Sequence, residues 1–194
     1  MKKVLLLEDR PKRQEQYLSK ELIDKIKKLE NVYMPLEEEC RIIIQKLNDL
    51  NDEPLKEYSL IIIHRSSLSD NGRNTVTSHC KNEKKTLVFF SGGIGQSLFS
   101  FESFPYFLLN SRDFYKDSLP DFLNRYLKDR IEHISELIYG QNWKLNMLMS
   151  YRQILLLNNI PRAIEPIKES FESIIGKKTI EELNKEINKI IATI

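Results

Sequence analysis

The sequence predicts an α/β fold, a five-stranded parallel sheet covered by helices, followed by a small α-helical C-terminal region. Three observations carry this. Val4-Leu-Leu-Leu7, Leu60-Ile-Ile-Ile63 and Leu87-Val-Phe-Phe90 are short and apolar throughout, the pattern of strands buried on both faces. The stretches between them repeat apolar residues every three or four positions among Lys, Glu and Gln, the pattern of one-sided helices. Beyond residue 128 only the helical period continues. The expected division is 1–128 for the α/β domain and 129–194 for a helical extension or bundle.

The first strand runs from Lys3 into Glu8 and Asp9, and Pro11 suits the first turn of a helix, where its missing N–H costs nothing. Tyr17, Leu18, Leu22, Ile26 and Leu29 give that helix one apolar stripe. A weak second strand over 31–34 is ended by Pro35, and Ile43, Ile44, Leu47 and Leu50 mark a helix over 37–50. Tyr58-Ser-Leu-Ile-Ile-Ile63 is the strongest strand signal and ends at His64 and Arg65. Ser69-Asp-Asn-Gly72 reads as a turn, followed by a short polar helix over 74–81. The fourth strand, 86–90, ends in Ser91-Gly-Gly-Ile-Gly95, and the fifth covers 105–109. A polar loop over 110–116 leads to a helix opened by Ser118, Leu119 and Pro120. Phe122, Leu123, Tyr126 and Leu127 face one way on it, and Ile131, Ile134 and Ile138 extend the stripe to about Tyr139, with Gly140 as its stop.

Helices over 142–157, 163–175 and 179–194 complete the chain. Thr179 and Glu182 form a capping box at the start of the last one. Ile180, Leu183, Ile187, Ile190 and Ile194 then follow a three-four spacing, a narrow heptad seam. Such a seam is either the apolar face of a small bundle or a surface for dimerisation or partner docking. Residues 131–194 carry equal numbers of basic and acidic side chains and no helix-turn-helix pattern, which speaks against DNA binding. The whole chain agrees: net charge is only +2, too small a field for nucleic acid or anionic lipid. Cys40 and Cys80 fit no metal or redox spacing and are expected as reduced thiols. No apolar run reaches the length of a membrane span or signal peptide, so the expected place is the cytoplasm.

Five strands alternating with helices fit the flavodoxin-like order 2-1-3-4-5, in which ligands bind where the strand order reverses, between strands one and three. That placement brings Glu8 and Asp9 beside His64, Arg65 and Ser66. Ser91 lies at the end of the fourth strand and Asn110 at the end of the fifth. Gly92, Gly93 and Gly95 make a loop that offers backbone N–H groups to a phosphate or other ligand, although it matches neither a Walker loop nor a dinucleotide fingerprint.

Over residues 1–128 the pattern resembles the receiver domain of two-component response regulators. Lys3-Val-Leu-Leu-Leu-Glu-Asp9 is similar to the first receiver strand with its magnesium-holding acidic pair. Tyr58-Ser-Leu-Ile-Ile-Ile-His64 is similar to the third, which carries the phosphate-accepting aspartate in the family. Thr86-Leu-Val-Phe-Phe-Ser91 is similar to the fourth with its hydroxyl, and Tyr106-Phe-Leu-Leu-Asn110 to the fifth, which normally ends in lysine. Glu8, Asp9 and Ser91 keep the pattern, whereas His64 replaces the acceptor and Asn110 the lysine. An acyl phosphate needs a carboxylate nucleophile, so the resemblance implies a degenerate, non-phosphorylatable pseudo-receiver.

His64 is expected as a polar plug pairing with the acids, with metal-ligand or phosphohistidine roles as the alternatives; a positive charge on it would mimic the cation it replaces. Without the third carboxylate, Glu8 and Asp9 are only weak Mg2+ candidates, and no cofactor is expected. His79 and His133 read as helix-surface residues. The expected function is a regulatory module acting through a protein partner or homodimer, on the surfaces of the fourth helix, fifth strand and fifth helix and on the C-terminal bundle. The alternative is a small-ligand or nucleotide sensor using the crevice between strands one, three and four. A metal-assisted hydrolase around Glu8, Asp9 and His64 lacks an evident general base, so no enzyme is expected.

Overall fold

The computed structural model describes residues 2–94, 97–100, 106–157, 159–160, 162 and 164–193. Its chain divides into two compact units, Met1–Ile131 and Glu132–Ile194. The first is built on six strands: Val4–Leu7 (β1), Val32–Tyr33 (β2), Leu60–His64 (β3), Thr86–Ser91 (β4), Leu98–Ser100 (β5) and Tyr106–Asn110 (β6). The sheet order is β2-β1-β3-β4-β6-β5. All pairings except the last are parallel, which gives the flavodoxin-like 2-1-3-4-5 arrangement. β5 is an addition: it pairs antiparallel with β6 at the open edge. Three residues carry no readable period, so nothing in the sequence marks it as a strand.

The central strands are apolar throughout because both of their faces are covered. β1 and β3 are buried at every position, and register pairs Leu7 with Ile63 and Ile63 with Phe89. β6 alternates instead, with Phe107 and Leu109 buried and Tyr106, Leu108 and Asn110 half-buried. On one face Leu5, Leu7, Ile61, Ile63, Leu87 and Phe89 pack with Cys40, Ile44 and Leu47 of helix Glu37–Asn48 and with Val76 and Cys80 of helix Asp70–Asn82.

Several elements depart from the sequence expectation for identifiable reasons. The stripe from Tyr17 to Leu29 lies on two helices, Pro11–Tyr17 (α1) and Lys20–Lys27 (α2). Leu18 is extended and Ser19 caps α2 by accepting from the Leu22 N–H, the job for which serine is favoured. Glu37–Asn48 (α3) forms as expected. Ser69 is likewise a cap, accepting from Gly72 N–H, so residues 70–72 form the first turn of Asp70–Asn82 (α4) rather than a free turn. Asn110 caps a short helix, Ser111–Phe114 (α5), where a polar loop is expected. Leu119–Leu127 (α6) ends well before Tyr139. Asp129 takes a left-handed φ of 55°, and Arg130 N–H returns to the Arg125 carbonyl, a Schellman-type stop. Ile131 and Ile134 therefore do not continue that helix, and Gly140 (φ 72°) ends only the short Glu136–Tyr139 (α7).

The second unit holds α7, Trp143–Leu155 (α8), Glu165–Ile175 (α9) and Ile180–Ile191 (α10). Trp143, Met147, Leu148, Tyr151, Phe171, Leu183 and Ile187 form its core. The Thr179–Glu182 capping box is present at the start of α10. Leu183 and Ile187 of the heptad seam are buried in this core, Ile190 packs against it and Ile180 is half-buried; Ile194 lies outside the described residues. The seam is thus the inward face of α10 within its own bundle. No described helix is long and apolar enough to cross a membrane.

Candidate functional site

Parallel register between β1 and β3 places the residues just past Leu7 beside those at the end of Ile63. Glu8 and Asp9 accordingly meet His64 at the carboxyl ends of the strands, where an open α/β sheet keeps its ligand crevice. His64 is fully buried, with its ring 5.5 Å from that of Phe90. Its Nδ1 lies 2.5 Å from Asp9 Oδ1 and 3.8 Å from Glu8 Oε1. Its Nε2 is met by the guanidinium of Arg13, from the first turn of α1. A guanidinium only donates, so Nε2 must present its lone pair and Nδ1 must carry the proton given to Asp9. In this tautomer the ring bridges the Asp9 carboxylate and the Arg13 guanidinium. Arg13 brings a permanent cation to the cluster, from a position that no sequence pattern singles out.

Glu8 is enclosed more deeply than Asp9, at 4% exposure. Its Oε1 accepts from Arg10 N–H at 3.0 Å and its Oε2 from the Tyr115 hydroxyl at 3.0 Å. Burial raises the Glu8 carboxyl above its usual value, outweighing the opposing pull of His64, Arg10 N–H, Arg13 and Tyr115. The Asp9 carboxyl goes the other way. Burial also pushes it up, but the His64 hydrogen bond and the neighbouring charges, Arg10 included, hold it below the usual range. Tyr115 is itself held well above the normal phenol value by burial and by Glu8. Its ring stacks with Tyr17 and meets Phe90 edge-on.

The remaining expected site residues fall around this cluster. Ser91 Oγ lies 3.1 Å from Ser66 Oγ and accepts from Gly93 N–H, so that amide of the glycine loop turns back to its own strand end. Gly92 and Gly93 are exposed, and Gly95 lies outside the described residues. Asn110 pairs in register with Ser91 but serves its own segment: its side chain donates to the Ile94 carbonyl and accepts from Arg112 N–H.

Glu8, Asp9 and His64 each offer one donor atom, and these atoms lie within 4.8 Å of one another. A mixed nitrogen–oxygen set suits Zn2+ or Mn2+ better than Mg2+. Coordination through Nδ1, however, would move the proton to Nε2, where it would face the Arg13 donors. The set therefore opposes a dication for as long as Arg13 stays in place.

Beside Asp9 opens a cavity of about 360 Å³ lined by Asp9, Arg10, Arg41, Ile44, Gln45, Asn48 and Ser67. The polar α3 residues among these, Arg41, Gln45 and Asn48, carry no sequence signal, because polar residues on the outer face of a helix read as solvated. Cys40 sits buried close enough to the acids to feel them; burial, with Asp9 and Glu8, pushes its thiol up to about 12. Both cysteines are free.

The other histidines differ from expectation. His79 is buried, with Nδ1 2.8 Å from Asp52 Oδ2 and Nε2 3.0 Å from Lys85 Nζ. His133 is outside any helix and stacks on Trp143 at 4.7 Å. The chain's own residues thus carry the whole functional argument, for no family model, curated protein or solved structure matches it.

Proposed function

We propose that the α/β unit is a receiver-like regulatory module that carries no phosphoryl group and works through a protein partner or a second copy of itself. The supporting observation is His64. At the position where a receiver places its nucleophile stands a buried ring with a proton committed to Asp9 and a lone pair committed to Arg13. Asn110, at the lysine position, has its amide engaged with Ile94 and Arg112. Incubation with acetyl phosphate and Mg2+, followed by intact mass spectrometry, should leave the mass unchanged. A stable gain of a phosphoryl group on any crevice residue overturns the reading. A partner face is supported by Leu36, Ile42 and Leu50, exposed large apolar residues that flank or lie on α3, rather than by β6 and α6.

A second reading, small-ligand sensing, is favoured by the cavity beside Asp9. Its volume falls in the range of ligand sites, roughly 300–1,000 Å³.

A further inference from the structure

We infer that the cavity at the β1/β3 switch point binds a small hydroxylated anion, a sugar phosphate or sugar acid, whose oxyanion group is held by Arg10 and Arg41. This rests on the ligand-sensing reading and gives it a chemical class. The lining sets that class. Two guanidiniums face the same space, and each is a planar fork suited to carboxylate or phosphate. Arg10 Nε is 3.7 Å from Asp9 Oδ2, beyond hydrogen-bond length, and the described partner of Arg41 is Glu37, one turn back on the same exposed face. Neither arrangement holds its guanidinium against an incoming anion.

The rest of the wall alternates acceptors and donors, which is what hydroxyl groups need, since each both gives and takes a hydrogen bond. Asp9 has one oxygen on His64 and the other towards Arg10. Ser67 gives its proton to the His64 carbonyl at 2.6 Å, so its oxygen is left to accept. Asn48 Oδ1 takes both Ser69 N–H and Ser69 Oγ, which fixes the amide and leaves its amino group as the donor. Among the described lining residues Ile44 supplies the aliphatic surface, and no aromatic ring is there to stack on a base. The cavity therefore fits a sugar carrying an acid group better than a nucleotide.

The test is calorimetric titration of the full chain with glucose phosphate, gluconate, inorganic phosphate and AMP, repeated on Arg10→Gln, Arg41→Gln and, as a control, Lys56→Gln, an exposed residue before the opposite end of β3. Both arginines are surface residues, so the variants should fold. Glucose phosphate or gluconate should bind, the stronger of the two naming the oxyanion. Each arginine change should weaken that binding about tenfold, as losing a charged hydrogen bond does, while the control leaves it unchanged. Absence of binding by either at about 10 mM, or binding undiminished in both arginine variants, overturns the inference. AMP binding more tightly than either also overturns it, yet keeps the sensing reading; silence from all four probes removes both. The acetyl phosphate result is independent of every one of these outcomes.

Discussion

The chain builds one chemical triad twice, at opposite ends of its central strands. Asp9, His64 and Arg13 meet where β1 and β3 end; Asp52, His79 and Lys85 meet where β3 and β4 begin. Each is a carboxylate, an imidazole and a donating cation. In the second, Lys85 also donates to the Leu55 and Lys56 carbonyls at 2.9 and 2.7 Å, so all three ammonium protons are committed. Its acid, Asp52, stands half in water. This triad is a staple between the loop before β3, the end of α4 and the start of β4. The first triad has a surplus buried carboxylate, Glu8, and a cavity at its side. The two triads differ not in their own members but in this extra charge and open space at the carboxyl ends of the strands.

Replacing each histidine by alanine tests that distinction most severely. His64→Ala should cost about 3–4 kcal/mol, since it opens a void beside Phe90 and strands a partly buried ion pair. His79→Ala should cost only about 1–2 kcal/mol, because Lys85 keeps two carbonyls and Asp52 returns to solvent. Urea unfolding of both variants compares them; equal losses would erase the difference drawn here.

Arg13→Gln comes next. It removes the internal cation and supplies an acceptor for a proton on Nε2, so Zn2+ or Mn2+ should raise the melting temperature of the variant and not of the parent. The staple offers no such gain: Lys85→Gln leaves one carboxylate and one imidazole, too few ligands.

Glu8→Gln gives a smaller, pH-dependent effect. Burial raises the Glu8 carboxyl, so the folded protein holds that proton more tightly than the unfolded chain. The penalty of the ionised form is full above the raised value and disappears as pH falls through it to the ordinary 4.5. The variant should therefore exceed the parent in stability at pH 7 and match it near pH 4. Asp52→Asn should show the opposite sign and the least change. The His79 hydrogen bond lowers the Asp52 carboxyl, so its contribution is present above 3.8 and lost as pH falls through its depressed value. Exposure limits that contribution to a few tenths of a kcal/mol.

Those features that sequence patterns reveal are the ones set by burial on both faces or by a local motif. β1, β3 and β4 announce themselves as unbroken apolar runs, and α10 by the Thr179–Glu182 box. From the strand order alone, Glu8, Asp9 and His64 can be placed together. What the sequence hides is whatever depends on which way a polar side chain turns. Arg13 looks like any helix arginine until α1 starts immediately after Asp9. Tyr115 sits in a polar stretch 107 residues from the glutamate it binds. His79 appears on a polar helix, and Asp52 and Lys85, both outside that helix, meet its two ring nitrogens. The end of α6 turns on a single left-handed aspartate, Asp129, for which no apolar period gives warning.

Gly72 lies inside α4, where exchange to alanine ordinarily strengthens a helix by about 1 kcal/mol. Here an added Cβ would stand 2.1 Å from Asn48 Oδ1, the atom that anchors Ser69 at the head of α4 while its side chain walls the cavity. One missing methyl group thus couples helix initiation to the shape of the recess, and sequence drift at this position would have to surrender both together.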